Sequence, residues 1–310
     1  MKQEYIDVTN KIMNHCASQG IIHLEAQDES FDGRTITLNG NEVVNFGSCS
    51  YLGLGQDQRI KDGAIKAINK YGNQLLSSRT YLSHGLYLEL ETLLEQIFEK
   101  PSIVAPSTTL GHIAAIPLFI GENDAVIMDQ SVHTSVKIGV QLLKGNNPAQ
   151  HIEIVKHNRI DLLETRIQIL KHKHDKVWYM ADGVYSMHGD PAQLHDIKTL
   201  LNQYEQFYLY IDDAHGMSWT GKHGQGFVLK EIGFHPQMIM ATSLAKSFVN
   251  AGGVIILNDE KMKESLRNCG STFIFSSPLP PPILGGAIES AKIHLSEEIR
   301  RLEQEQKLLD

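Results

Sequence analysis

The sequence predicts an α/β domain built around a mostly parallel sheet, and three observations carry that expectation. Between about Ile103 and Asn258, short apolar runs alternate with helical stretches, the pattern of strand–helix–strand units. One run, Tyr208-Leu-Tyr-Ile, ends in Asp212-Asp-Ala-His215-Gly, so a buried strand delivers polar groups at its carboxyl end, where open parallel sheets hold ligands. With 310 residues, 42% hydrophobic and 21% charged, the chain has room for one large domain and part of a second, and no bias toward disorder or a fibrous architecture.

Totals also narrow the setting. A net charge of -8 aids solubility and disfavours a nucleic-acid partner, which calls for a basic face. Cys16, Cys49 and Cys269 are odd in number and show no C-x-x-C spacing for a disulfide framework or a metal, which fits a reducing cytoplasm. The amino terminus lacks the apolar core of a signal peptide, and no window approaches the roughly 18 to 20 apolar residues of a membrane span. A soluble cytoplasmic protein is expected.

In chain order, residues 1–45 read as an arm. Ile6 to Cys16 is an amphipathic helix, and Thr35 to Asn45 is a strand pair turning at Asn39-Gly40, a strong hairpin signal. Residues 46–282 form the large domain. It opens with a small-residue stretch to Gly55 and a helix from Ile60 to Tyr71, followed by a periodic helix from Leu86 to Phe98 with leucines on one face and glutamates on the other. Expected strands are Ser102–Ala105, Ala125–Met128, Ile152–Val155, Val177–Met180, Phe207–Ile211, Met238–Ala241 and Val254–Leu257. Helices fill Gly111–Phe119, Thr134–Leu143, Ile160–Lys171 and Gln193–Tyr204 between them. The prolines of Pro278 to Pro282 interrupt the pattern, and residues 283–310 read as one long charged helix over Ile283 to Leu309. Because the chain stops inside that helix, a smaller carboxyl-terminal domain is expected beyond Asp310.

The chemistry-bearing residues cluster at the expected strand ends. Lys246 follows the Met238-to-Ala241 run and precedes Ala251-Gly-Gly, where backbone approaches closely. A lysine, a carboxylate able to pair with a ring nitrogen and an adjacent imidazole are the parts that hold pyridoxal phosphate as a Schiff base. Asp212 and Asp213 are adjacent on a strand, so only one of them faces a given ligand. His215 is placed to hydrogen-bond a ring hydroxyl, and His133, a few residues beyond Ala125-Val-Ile-Met-Asp, to lie over a flat ring. Ser107-Thr-Thr-Leu-Gly, between a strand and a helix, brings Thr108, Thr109 and the helix's first amides together as an anion site, and Ser243 adds a hydroxyl for the same phosphate. Lys171-His-Lys-His-Asp has metal-like spacing but sits in a polar run and reads as a solvated face; no metal is expected.

Assembled, these motifs resemble the α-oxoamine synthases. The likeness runs from about Asn45 to Pro282 and includes NFGSCSYLGLG, SHGLYLELETLLE, DGVYSMHGD from Asp182, IDDAHG, the glycine loop Gly221 to Gly226, TSLAKS and FSSPLPP from Phe275. It implies fold-type I pyridoxal-phosphate architecture with a seven-stranded sheet. It also implies a decarboxylating condensation of an amino acid with an acyl-CoA, giving an aminoketone. By the same resemblance Lys246 carries the Schiff base and acts as base on the α-proton, Asp212 pairs with the pyridine nitrogen, His215 binds the ring oxygen and His133 stacks on the ring. Thr108, Thr109 and Ser243 hold the phosphate, with Ser276 or Ser277 reaching over from a second subunit of a homodimer, and Asp182 and Ser186 line the ring pocket. The implied carboxyl-terminal domain supplies an arginine for the substrate carboxylate.

Three positions depart from the family pattern. Cys49-Ser50 stands where an asparagine is frequent, Tyr87 where a histidine is common and His112 where an asparagine is common. The TSLAKS form is similar to the branch making α-hydroxyketone signals. Rival readings are an aminotransferase or lyase of the same fold, which share the lysine and aspartate, and a non-catalytic relative. Ser243-Leu-Ala-Lys246 also matches the S-x-x-K of serine acylases, without their S-D-N and K-T-G segments.

Overall fold

The seven expected strands lie in one sheet in the computed structural model, which describes residues 2–74, 77–296, 298 and 299. The chain divides into two units, residues 1–49 and 50–310. In the first are helix α1 (Lys2–Ser18) and strands β1 (Thr35–Leu38) and β2 (Asn41–Val44). Leu38 pairs with Asn41, which leaves Asn39 and Gly40 as a two-residue loop with φ of 52° and 76°, the left-handed pair that a type I′ turn requires.

The second unit begins with α2 (Gln58–Tyr71) and α3 (Gly85–Phe98). It continues through β3 (Ser102–Ala105), α4 (Thr108–Phe119), β4 (Ala125–Asp129), α5 (Thr134–Asn146), β5 (His151–Val155) and α6 (Ile160–Leu170). Then come β6 (Val177–Asp182), α7 (Leu194–Gln203), β7 (Phe207–Asp212), α8 (Phe227–Ile232), β8 (Met238–Ser243) and β9 (Gly253–Ile256). Helices α9 (Glu260–Cys269), α10 (Ser271–Ile274) and α11 (Pro281–Leu295) follow. The sheet order is β3-β9-β8-β7-β6-β4-β5; β9 runs antiparallel to both its neighbours and the other pairs are parallel.

Helices cover both faces, which is why the central strands are apolar along their length. On one face Leu90 and Leu94 of α3 and Ile197 and Leu201 of α7 pack against Tyr179, Leu209 and Met240. On the other, Ile116 of α4 and Val136 and Val140 of α5 pack against Val126, Trp178 and Ile239. Helices α2 and α11 meet at glycines: a Cβ on Gly285 would lie 2.3 Å from the Gly63 carbonyl oxygen, so the two backbones touch.

Several boundaries differ from expectation in ways that matter. Strands β6, β7 and β8 run past their last apolar residue to Asp182, Asp212 and Ser243, because ladder pairing continues; Asp182 lies opposite Asp212 and Ser243 opposite Gly253. The expected helix Ile283 to Leu309 is interrupted: α11 starts at Pro281, with proline in its first turn, and stops at Leu295, where Ser296 turns extended at φ -82° and ψ 164°, and residues 298 and 299 are again helical. Residues 297 and 300–310 lie outside the described residues.

Candidate active site

Asp212 and Asp213 leave β7 on opposite faces and enter unlike surroundings. Asp212 Oδ1 accepts the Ala214 amide at 3.0 Å, and its Oδ2 lies 3.0 Å from Nε2 of the fully buried His112, whose Nδ1 is 2.8 Å from the Tyr210 hydroxyl. Burial pushes the Asp212 carboxyl up, but the hydrogen bond and charge of His112 and the charge of Lys246 outweigh it and hold the group below the ordinary carboxylate range. Asp213 is fully buried; its Oδ2 accepts the Val228 amide at 3.0 Å and its Oδ1 has no partner among the described residues. A Cβ added at Gly183, Gly216 or Gly226 would come within 2.2 to 2.3 Å of that carboxylate, so three glycines form its cage. Burial there, with the charge of Asp212 adding to it, pushes Asp213 up to about 8.

Around Asp212 the other strand ends converge. Asp182, buried, accepts the His133 amide at 3.2 Å, which fixes the loop after β4 against the end of β6. Burial and the neighbouring Asp212 charge push Asp182 up to about 8. His133 caps α5 by accepting from the Ser135 amide, and its pKa is lowered, chiefly by burial. His215 lies with its Nδ1 2.7 Å from the Tyr51 hydroxyl; burial and then the Lys246 charge bring it down to about 4, so its ring is neutral near neutral pH. The Lys246 charge acts on Asp182, Asp212, His133 and His215 alike, and its side chain is half-buried among them. Beside His215 opens a cavity of about 290 Å³ walled by Tyr51, Val184, Tyr185, Ser186 and Trp219.

The anion-site residues lie at the neighbouring edge. Ser107 caps α4, taking the Leu110 amide at 3.1 Å, which leaves the first amides at Thr108 and Thr109 without a helical acceptor. Thr108 Oγ1 donates to the Thr242 carbonyl at 3.3 Å, which ties it to the end of β8, and Ser243 Oγ accepts from the Ala245 amide at 3.1 Å in the turn that follows. At Gly253 a Cβ would lie 2.4 Å from the Thr108 nitrogen; only glycine lets β9 pass so close to the start of α4. Ser276 and Ser277 are not brought into this cluster. They follow α10 beside Phe275, which is 86% exposed, and neither hydrogen-bonds a cluster residue among the described residues.

Sequence reasoning passed over His112 and Tyr51 as working groups. The signal for His112 was one polar residue on the face of α4 that also carries Gly111, Ala114 and Ala115 inward. Tyr51 offered none, since its partner His215 is 164 positions away. Tyr87 is buried, with its hydroxyl accepting the Leu279 amide and the Arg79 guanidinium 3.8 Å over its ring, so it braces the packing of α3.

Comparisons with known proteins show the family and the fold. The family described as aminotransferase class I and II matches residues 41–310. An 8-amino-7-oxononanoate synthase of Thermosipho melanesiensis is 32% identical over 298 residues, covering 94% of this chain and 74% of that one. A serine palmitoyltransferase of Bacteroides ovatus is 32% identical over 302 residues, covering 96% and 73%. In three dimensions a serine palmitoyltransferase from S. paucimobilis superposes with a TM-score of 0.83 at 22% identity, covering 94% of this chain and 75% of that chain.

Proposed function

The chain belongs to the aminotransferase class I and II family and, within it, to the α-oxoamine synthases; from that premise we propose that it condenses an amino acid with an acyl-CoA, losing carbon dioxide, to give an aminoketone. The observation that carries the reading is the convergence of Lys246, Asp212, His215 and His133, with a cavity opening beside His215. The residues fit pyridoxal phosphate. Asp212 spends one acceptor position on Ala214 and one on His112, and an ionised carboxylate has about four, so capacity remains for a protonated ring nitrogen. With Nδ1 of His215 engaged by Tyr51, Nε2 is the nitrogen left for a ring oxygen.

When bound, the cofactor supplies an electron sink for the bond cleaved at the substrate's α-carbon. Lys246 would provide the amine that anchors the aldehyde, and its free amine would serve as the base for the α-proton. Asp212 would hold the ring nitrogen's proton, His133 would cover the ring, and Asp182 and Ser186 would line the pocket. Thr108, Thr109, Ser243 and the first turn of α4 take the phosphate. A homodimer with shared sites completes the reading: Ser276 and Ser277 sit beside the exposed Phe275, on a segment we assign to a second copy's phosphate site. Three free cysteines accord with a cytoplasmic setting, and among the described residues no helix is long and apolar enough to cross a membrane.

Borohydride reduction of cofactor-loaded protein should fix the cofactor to the wild type and not to Lys246→Ala. An amino-acid and acyl-CoA panel should then show release of free thiol. Transfer of the amino group to an oxoacid without thiol release would favour an aminotransferase instead.

A further inference from the structure

One side of the cavity is the loop from Val184 to Gly189, and its foot is held by a group that the chemistry above does not use. Val184 bridges to Pro191, and the loop closes on itself through Tyr185 N–H to the Asp190 carbonyl at 2.9 Å and Gly189 N–H to the Tyr185 carbonyl at 2.7 Å. At the foot, His157 lies between two carboxylates: Nδ1 is 2.8 Å from Asp129 Oδ1 and Nε2 is 2.9 Å from Asp190 Oδ2.

A neutral imidazole has one N–H, so it would turn a lone pair on one of those carboxylates; an imidazolium satisfies both. The alternative, a proton on a carboxyl, is opposed by the donors already present. Asp129, fully buried, also accepts from the Ser131 amide, the Asn158 amide and the Tyr179 hydroxyl, and Asp190 also accepts from the Asn158 side chain at 3.1 Å. Four donors, His157 among them, thus converge on the Asp129 carboxylate, and β4 thereby anchors the ring. Tyr185 meets the His157 ring edge-on at 4.4 Å between centroids, and His188 stacks on it at 5.2 Å while its Nε2 lies 3.2 Å from the Ser131 hydroxyl. Asp129, Asp190, Tyr179, Tyr185 and His188 are thus the titratable groups that face it.

We propose that His157 is a positioning residue: as an imidazolium clamped between Asp129 and Asp190, it pins the loop carrying Val184, Tyr185 and Ser186, so the shape of the cavity depends on one proton remote from the reacting atoms. Although partial burial works against the charged ring, the two carboxylates outweigh it and raise the His157 pKa. The clamp is therefore complete below the ordinary imidazole range and is lost as pH rises through the raised value, which loosens the wall on the alkaline side. If the proposed reaction holds, KM for the substrate seated there rises with pH while kcat changes less, and that clause alone rests on the functional reading.

The test reads the protein without substrate. Histidine nitrogen NMR of the whole chain should show one ring protonated at both nitrogens beyond the ordinary midpoint, absent in His157→Gln. Hydrogen-exchange protection of the Tyr185 and Gly189 amides, corrected for intrinsic rates, should fall about tenfold in the wild type across that same titration, on the order of one charge-assisted hydrogen bond. In His157→Gln it should be low and flat with pH. Asp190→Asn, at the more exposed partner, should behave the same way and serves where His157→Gln fails to fold. Unchanged protection in either folded variant, or the wild-type pH dependence persisting in it, overturns the proposal whatever reaction the enzyme catalyses.

Discussion

Replacing Asp213 by asparagine should stabilise the protein, and increasingly so as pH rises. The side chain sits in a cage of three glycines with one hydrogen bond to Oδ2 and none to Oδ1 among the described residues. Its carboxyl is raised from 3.8 to about 8, chiefly by burial. A group raised on folding lends full stability below its unfolded value and loses it as pH climbs to the folded value. At about 1.4 kcal/mol for each pH unit, the wild type is handicapped by roughly 4 kcal/mol near pH 7. Asparagine has the shape of the neutral acid and no charge to lose. Urea unfolding at about pH 5 and about pH 7.5 should therefore show the advantage of Asp213→Asn growing by about 3 kcal/mol. Cofactor binding should survive the change, because Asp213 faces away from Lys246's cluster. Parallel pH profiles for the two proteins would mean that Asp213 is ionised in the fold and that the cage does not keep it neutral.

Three further outcomes are expected. His112→Ala, which strips a buried donor from Asp212 and a partner from the Tyr210 hydroxyl, should cost about 3 to 5 kcal/mol in chemical denaturation; a loss under about 1 kcal/mol would show that neither contact matters. Gly253→Ala drives a Cβ to 2.4 Å from the Thr108 nitrogen and should lower stability by roughly 2 kcal/mol and weaken cofactor affinity, read by calorimetry and by titration; unaltered affinity would separate the start of α4 from the phosphate. Equal mixing of Lys246→Ala with a Ser276/Ser277 double-alanine chain should recover about a quarter of wild-type activity, since half the dimers are mixed and one of their two sites is intact. No recovery, with subunit exchange verified, would argue that each site is built from one chain.

The sheet was legible because each strand is a continuous apolar run bounded by polar residues, and covering both faces leaves such runs no other place to go. Its exact ends were not. Apolar content stops at Ala181, Ile211 and Ala241, whereas backbone pairing carries on into Asp182, Asp212 and Ser243. The division between Asp212 and Asp213 needed the resemblance, because strand geometry says that one faces the ligand and not which. Glu91 shows the limit of periodicity: the leucine-and-glutamate pattern of α3 puts it on the solvent side, but it is 2% exposed. It accepts the Val104 amide at 3.1 Å and pairs with Arg79 at 3.0 Å and Arg267 at 3.2 Å, partners 12 and 176 residues away that a local pattern cannot reveal. The break in the last expected helix escaped for a related reason, since nothing in the run of charges after Leu295 marks Ser296 as extended.

Three carboxylates stand at the ends of two adjacent strands, and a protonated ring nitrogen is served by one negative charge. Like charges so close cannot all ionise in a site shielded from water. His112 decides which of them does, because it places a donor on Asp212 and on neither Asp182 nor Asp213. Asp213 has one amide and a glycine cage, Asp182 one amide at 3.2 Å, and both are pushed up to about 8 while Asp212 is held low. An asparagine in this place could donate to a carboxylate but would have no ring to reach the Tyr210 hydroxyl at the same time. Histidine here therefore couples the choice of the ionised carboxylate to the packing of α4 against β7, and makes the electrostatics of the site a property of the core behind it.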